Sequence, residues 1–111
     1  MSLEGSKSEQ RLLKRGEVYM HTPTGKRVVV LSDDRFNAAT HTGKVLVAPL
    51  GRRPGPSSVP CGDQDPVGGF VHVAELGQAT VGSLADCACT LSGHTMEHLN
   101  RALVTLFDLP Y

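Results

Sequence analysis

A pair of cations opens a short, strongly apolar segment in the first third of the chain. The stretch GKRVVVLS places Lys26 and Arg27 directly before the apolar run Val28 to Leu31. β-Branched residues favour strands, and a run without alternation is typical of a strand covered on both faces. A guanidinium at the end of a stiff strand is a permanent cation whose forked donors suit two phosphoryl oxygens. The segment therefore indicates chemistry on an anion, with a solvated strand-entry arginine as the alternative.

Other polar residues lie close to this strand in sequence. His21 is a candidate general acid or base because histidine titrates near neutral pH, and Thr24 is a candidate hydroxyl donor in the turn TPTG. Arg52 and Arg53 follow the segment GKVLVAPLG and are candidates for phosphate contact. A strand-edge position for His21 and solvated loop positions for the two arginines are equally simple explanations.

Short strands are the elements that must position these residues. Alternation and β-branched residues predict strands, and the turn TPTG separates the first two. The segment DDRFNAAT predicts one helical turn capped by Ser32 or Asp33. From Ser92, a predicted N-cap, the apolar period becomes helical and Pro110 follows the end. The predicted strand segments are GEVYMHT, KRVVVLS, GKVLVAPL, VPC, GFVHVAEL and SLADCACTLS, and the helical stripe comprises Met96, Leu99, Leu103, Leu106 and Phe107.

We therefore expect a mainly β (α+β) fold, a small barrel of antiparallel strands closed by a C-terminal amphipathic helix. The 111 residues suit one domain, which we place at 14–111 after a polar leader at 1–13. The sequence has no membrane-spanning apolar stretch and no signal-peptide core, so we expect a cytoplasmic protein without a membrane partner.

Charge is divided unevenly along the chain, although the formal net charge is zero. Residues 1–53 hold ten of the eleven lysines and arginines with five acids, and the remainder is acidic. A basic face of this kind suits an anionic partner, whereas the neutral total argues against strong nonspecific nucleic-acid binding.

The cysteines and histidines near the C-terminus form a superficial zinc set. Cys87, Cys89, His94 and His98 are close in sequence, but Cys-x-Cys is tighter than the usual structural zinc spacing. Alternate strand residues project from one face, so the two cysteines are more simply small packed side chains. We therefore predict no metal and no cofactor.

In their order along the chain, the segments RGEVY, RVVVLSDDRFN, VLVAPL and a late TLS resemble the MazF/PemK family of toxins from bacterial toxin–antitoxin pairs. The resemblance spans about Arg15 to Leu109 and is concentrated in residues 15–50. It implies an SH3-like or CcdB-like barrel, usually a homodimer. It also implies a metal-free endoribonuclease that cuts single-stranded RNA at short sequences and is neutralised by an antitoxin protein.

Within that resemblance Arg27 matches the catalytic arginine, and Lys26, Arg52, Arg53, Thr24 and His21 become candidates for substrate binding. In such a reaction the ribose 2′-hydroxyl attacks the adjacent phosphorus in line. Negative charge then grows on the phosphoryl oxygens, where a fixed cation lowers the barrier.

Two departures from the family pattern concern the reaction directly. The linker HTPTGK is shorter than the family's usual loop between the first two strands. Gly51 stands where the family usually has a threonine or serine, and Thr22, Thr24, Ser57 or a water are possible replacements for the missing hydroxyl. The alternative function is a non-catalytic MazF/CcdB-like growth inhibitor that acts by binding, although the chain lacks the C-terminal Trp-Gly-Ile on which CcdB toxins rely.

Overall fold

A computed structural model describes residues 13–39 and 43–107 of the chain. The described residues form seven strands and two α-helices, and six of the strands lie in segments with predicted strand character. Residues 1–12 of the predicted leader and Pro110 lie outside the described residues, whereas Leu13 is buried. The strands are β1 Glu17–His21, β2 Lys26–Val30, β3 Lys44–Gly51, β4 Ser58–Pro60, β5 Phe70–His72, β6 Gly77–Thr80 and β7 Leu84–Thr90, and the helices are α1 Asp34–Ala39 and α2 Gly93–Phe107.

All strand pairings are antiparallel, and their order is β4-β5-β3-β2-β1-β7, with β6 on β3. The strand β3 is shared: its first half, Lys44–Val47, pairs with β6, whereas Leu50 and Gly51 pair with β5. The expected antiparallel, mainly β architecture with one C-terminal amphipathic helix is confirmed. No helix in the described ranges is long and apolar enough to cross a membrane.

Two apolar clusters cover the two faces of the central strands. Along β2, Val29 belongs to the cluster that includes Leu99 of α2, whereas Val28 and Val30 belong to the cluster on the other face. Successive strand residues point to opposite faces, so an unbroken valine run is what a doubly covered strand requires. The expectation of a strand buried on both faces is confirmed, and it leaves only Lys26 and Arg27 of β2 exposed.

Three details differ from the sequence-based expectation. The strand β6, Gly77–Thr80, lies in a segment for which no strand was predicted, because its pattern carries little apolar signal. The segment GFVHVAEL is strand only as far as His72 and then makes a 3₁₀ turn at Val73–Glu75. In α2 the stripe is buried at Leu99 but exposed at its end, where Leu106 is 36% and Phe107 55% exposed.

Both predicted helix caps are present. The Asp33 carboxylate accepts a hydrogen bond from the backbone N–H of Arg35 at 2.9 Å, which leaves Asp33, rather than Ser32, as the cap of α1. The Ser92 hydroxyl accepts one from the N–H of Thr95 at 3.2 Å, at the start of α2. Side-chain oxygens at these positions satisfy N–H groups that have no partner inside the helix.

A carboxylate from the preceding loop completes the start of α2. Asp65 accepts hydrogen bonds from the N–H of Gly62, the N–H of Ser92 and the Thr95 hydroxyl. Partial burial acts to raise the pKa of Asp65. The hydrogen bonds accepted by the ionised carboxylate outweigh burial, so the pKa lies below its ordinary value. The ionised side chain therefore ties the 61–69 loop to the helix.

We expect Asp65→Asn to destabilise the fold by about 1–2 kcal/mol at pH 7, because one of the charge-assisted hydrogen bonds is lost. A carboxyl whose pKa is lowered by folding stabilises above its unfolded pKa and loses that contribution as pH falls through the folded value. The difference in free energy of unfolding between wild type and Asp65→Asn should therefore shrink below about pH 4. Urea denaturation at pH 7 and pH 3 measures it, with exposed Asp63→Asn as the control; a difference that persists at pH 3 would contradict the assignment.

Candidate active site

The exposed cations of β2 lie at the end of a rigid strand. The pairs Tyr19–Val28 and Met20–Arg27 hold β2 against β1, and Val28–Pro49 holds it against β3. Lys26 and Arg27 point to opposite faces because they are adjacent in a strand. No carboxylate of the described residues lies within 4 Å of either cation, so the Arg27 guanidinium is available to an external anion.

Arg27 lies on the face of the sheet to which Cys89 of β7 belongs. Burial raises the pKa of the partly buried Cys89 thiol, and the nearby Arg27 guanidinium acts in the opposite direction. The register agrees, since Val18 of β1 pairs with both Val29 and Cys89. Arg27 therefore lies at the open end of the apolar face formed by these strands.

Three of the predicted binding residues line one groove. A cavity of about 220 Å³ is lined by His21, Thr24 and Lys26 together with Glu75 and Gln78. Nδ1 of His21 is 2.8 Å from the Thr24 hydroxyl, and that hydroxyl also accepts from the N–H of Lys26 at 3.3 Å. The short HTPTGK linker thus brings a histidine, a hydroxyl and a cation together beside the strand end.

The antiparallel register brings the end of β3 to the same place. The pairing ends at Val28 and Pro49, and continuing its register sets Arg27 opposite Leu50 and Lys26 opposite Gly51. Arg52 and Arg53 follow Gly51 directly and are exposed. The cationic candidates thus lie at the ends of β2 and β3, with Arg27 on the face of Val29 and Lys26 on the opposite face, which carries the groove.

Gly51 is where a hydroxyl side chain was expected, and another side chain takes up that space. A Cβ on Gly51 would lie 2.5 Å from Nε2 and 3.0 Å from Cδ2 of His72. A Cβ on Gly55 would lie 3.3 Å from Nδ1 and Cε1 of the same ring. The His72 imidazole is therefore wedged between the two glycines that begin and end the loop carrying Arg52 and Arg53.

The backbone around this ring is closely packed. Ser58 is the register partner of His72 across β4 and β5, and its hydroxyl accepts from the N–H of Gly55 at 3.0 Å. Gly69 has φ +102°, and a Cβ there would lie 2.5 Å from the carbonyl oxygen of Gly51. Glycine is needed at position 69 for both reasons, and it lets the 61–69 loop approach the end of β3.

Two of the proposed replacements for the missing hydroxyl are engaged elsewhere. The Thr22 hydroxyl donates to the carbonyl of Ser83 at 3.2 Å, and the Thr24 hydroxyl interacts with His21. Sequence reasoning did not single out His72, because no motif or spacing marks a histidine in a short strand.

The residues of the superficial zinc set do not come together. Within residues 13–39 and 43–107, no three His, Cys, Asp or Glu side chains are grouped to hold a metal ion. His94 and His98 lie with their ring centroids 4.5 Å apart on α2, and Cys87 and Cys89 are free thiols on β7.

The side chains at the strand ends are cations, a hydroxyl and imidazoles, a set that suits the binding of a phosphodiester.

Solved structures with this arrangement of strands include endoribonucleases and a MazE–MazF complex. An endoribonuclease from a Mycobacterial species superposes with a TM-score of 0.80 at 29% identity, covering 92% of this chain and 97% of that one. A chain of the MazE–MazF crystal structure from Deinococcus radiodurans superposes with a TM-score of 0.76 at 17% identity, covering 90% of this chain and 100% of that one. This protein has the MazF fold.

A second structure of similar likeness contains a partner. The Mycobacterial endoribonuclease in complex with its cognate antitoxin has a TM-score of 0.80 and 28% identity, covering 91% of this chain and 98% of that one. No protein-family model and no curated protein matches the sequence. The resemblance to MazF/PemK toxins inferred from the sequence segments is thereby confirmed at the level of the fold.

Proposed function

We propose that this MazF-fold protein is a toxin endoribonuclease that cleaves single-stranded RNA at short sequences in the cytoplasm. The observation that carries the proposal is its likeness, at 28–29% identity over more than nine-tenths of the chain, to two structures of Mycobacterial endoribonucleases. The exposed, uncompensated Arg27 at the strand end supplies the cation that the reaction requires.

The chemistry assigned to these residues needs no resident cofactor. The 2′-oxygen forms a bond to phosphorus while the bond from phosphorus to the 5′-oxygen breaks, leaving a 2′,3′-cyclic phosphate and a 5′-hydroxyl. The Arg27 guanidinium stabilises the charge on the non-bridging oxygens in the transition state. Lys26, Arg52 and Arg53 hold neighbouring phosphates, and His21 and Thr24 contact the part of the strand that continues past the end of β2 into the groove on the face opposite Arg27.

The partners follow from the same comparison. We propose that an antitoxin protein neutralises the enzyme, as in the Mycobacterial complex. We further propose that the protein is a homodimer, which sedimentation equilibrium at micromolar concentration tests directly.

Incubation of the purified protein with a mixed single-stranded RNA in excess EDTA tests the activity. We expect fragments with a common sequence at the cut and with 5′-hydroxyl ends, because the 2′-hydroxyl is the nucleophile. The same RNA with 2′-O-methyl groups at the cut sites should remain intact. Absence of cleavage of the unmodified RNA would overturn the endoribonuclease proposal.

A second candidate is a non-catalytic growth inhibitor of the same fold, which the lack of a hydroxyl at Gly51 favours. This protein would arrest growth by binding its target, so arrest would persist when Arg27 is replaced by alanine. Arrest that disappears with this substitution and returns with wild type supports cleavage instead.

A further inference from the structure

The structure assigns His72 as the proton-accepting residue of the active site, in the space that the expected hydroxyl side chain would occupy. This inference rests on the proposed endoribonuclease function. Its basis is the position of the imidazole, whose Nε2 would lie 2.5 Å from a Cβ on Gly51. The ring is half-buried and therefore open to a bound strand on one side.

The surroundings of the ring are those of a phosphate site. The loop that starts at Gly51 and returns at Gly55 packs against the ring at both ends and carries Arg52 and Arg53 between them. On the other side, the pairing of β2 with β3 ends at Val28 and Pro49, and continuing its register sets Lys26 opposite Gly51. In the proposed arrangement a phosphodiester laid across the strand ends contacts Arg52 or Arg53 on one side of the imidazole and Lys26 on the other.

The cations alone leave the reaction incomplete. Charged lysine and arginine donate hydrogen bonds but carry no acceptor, whereas the attacking 2′-hydroxyl must lose a proton. An uncharged imidazole has an acceptor nitrogen, and histidine is the side chain that most often serves as a general base. Nε2 of His72 faces the strand ends, and Nδ1 faces Gly55.

His72 takes up one proton and gives it back in each catalytic cycle. Nε2 takes the proton of the 2′-hydroxyl as the bond from the 2′-oxygen to phosphorus forms. The bond from phosphorus to the 5′-oxygen breaks, and that oxygen leaves with the electron pair and takes a proton from solvent. The imidazolium then returns its proton to solvent, so the ring is unchanged over the cycle.

The two flanking glycines explain why a ring fits here. A real Cβ almost never approaches a heavy atom within 3.0 Å, so any larger residue at position 51 would displace the imidazole. The same glycine that removes a hydroxyl from the site thus makes room for the histidine. Gly51 therefore belongs to the catalytic arrangement, and the missing hydroxyl at this position does not indicate that catalysis is lost.

The effect on the reaction is tested by His72→Ala. We expect kcat to fall by about 10²–10⁴-fold, the usual contribution of a general base, with KM for a short RNA changed less than about threefold. In wild type kcat/KM should rise with pH to a plateau, and this rise should be absent in the variant. Added imidazole should restore part of the activity, which a purely structural loss would not allow.

Two further variants test whether the loss of activity is specific to the His72 imidazole. His98→Ala, an exposed histidine on α2, is the matched control and should retain full activity. Gly51→Thr combined with His72→Ala returns a hydroxyl to the vacated space, and should cleave RNA faster than His72→Ala with the pH-dependent rise still absent. Thermal melting of each variant identifies any that fails to fold.

The outcomes distinguish this inference from the proposed function. If wild type cleaves RNA and folded His72→Ala cleaves it equally fast, or retains the pH-dependent rise, the assignment of His72 is wrong and the endoribonuclease stands. Loss of activity in His72→Ala that imidazole does not restore also overturns it. If wild type cleaves no RNA, the proposed function itself has failed.

Discussion

Arg27→Ala is expected to lower kcat for RNA cleavage by about 10³-fold, as removal of an arginine that neutralises a phosphoryl transition state does elsewhere. The guanidinium is exposed, and no carboxylate of the described residues compensates its charge, so its full field reaches a bound phosphodiester. KM should change far less, because the interaction strengthens as charge develops. Single-turnover cleavage of a short RNA containing one cut site measures the loss.

The matched control is Arg35→Ala, which removes another exposed guanidinium, from α1, without touching the strand ends. It should change kcat by less than about twofold, since exposed ion pairs such as Arg35–Asp33 contribute little. Arg27→Lys keeps the charge but loses the forked donors. Its kcat should therefore lie between the values for Arg27→Ala and wild type. Equal cleavage by Arg27→Ala and wild type would remove Arg27 from the reaction.

Leu99→Ala is expected to reduce the free energy of unfolding by about 2–5 kcal/mol, through lost burial and the cavity left behind. Leu99 is 0% exposed and joins α2 to the core cluster that contains Val29. Because Val29 lies two residues from Arg27 in β2, this loss also loosens the strand that positions the guanidinium. Urea denaturation followed by circular dichroism gives the value.

Leu106→Ala makes the same chemical change at the exposed end of the helix, where Leu106 is 36% exposed. We expect it to cost under about 1 kcal/mol, because less apolar surface leaves water at that position. A Leu99→Ala variant no less stable than Leu106→Ala would show that α2 does not support the core in solution.

The strand framework was predictable because its signals are local. The valine run of β2 requires a doubly covered strand, and Ser92 followed by helical spacing requires a capped helix, whatever lies elsewhere in the chain. The weak strand β6 was missed because Gly77–Thr80 carries almost no apolar pattern. Its strand state comes from pairing with β3, which is a tertiary effect.

The candidate site was predictable only in part, for a related reason. Lys26 and Arg27 are marked by the strand they open, and the segment resemblance draws attention to Gly51. His72 lies 21 positions further along the chain and approaches Gly51 only because β5 pairs with the end of β3. The contact between Gly51 and His72 depends on the register of β3 and β5, which cannot be read from the sequence alone.

The tight contact between Gly51 and His72 also limits how such a site can arise through successive mutations. A side chain added at position 51 while the imidazole is present collides with Nε2, and removal of the imidazole alone leaves the site without either group. On the assignment of His72, each single change is expected to lower activity, and only the double change keeps a hydroxyl in the vacated space, which is sign epistasis. Gly51→Thr alone and His72→Ala alone should therefore both cleave RNA more slowly than the double variant.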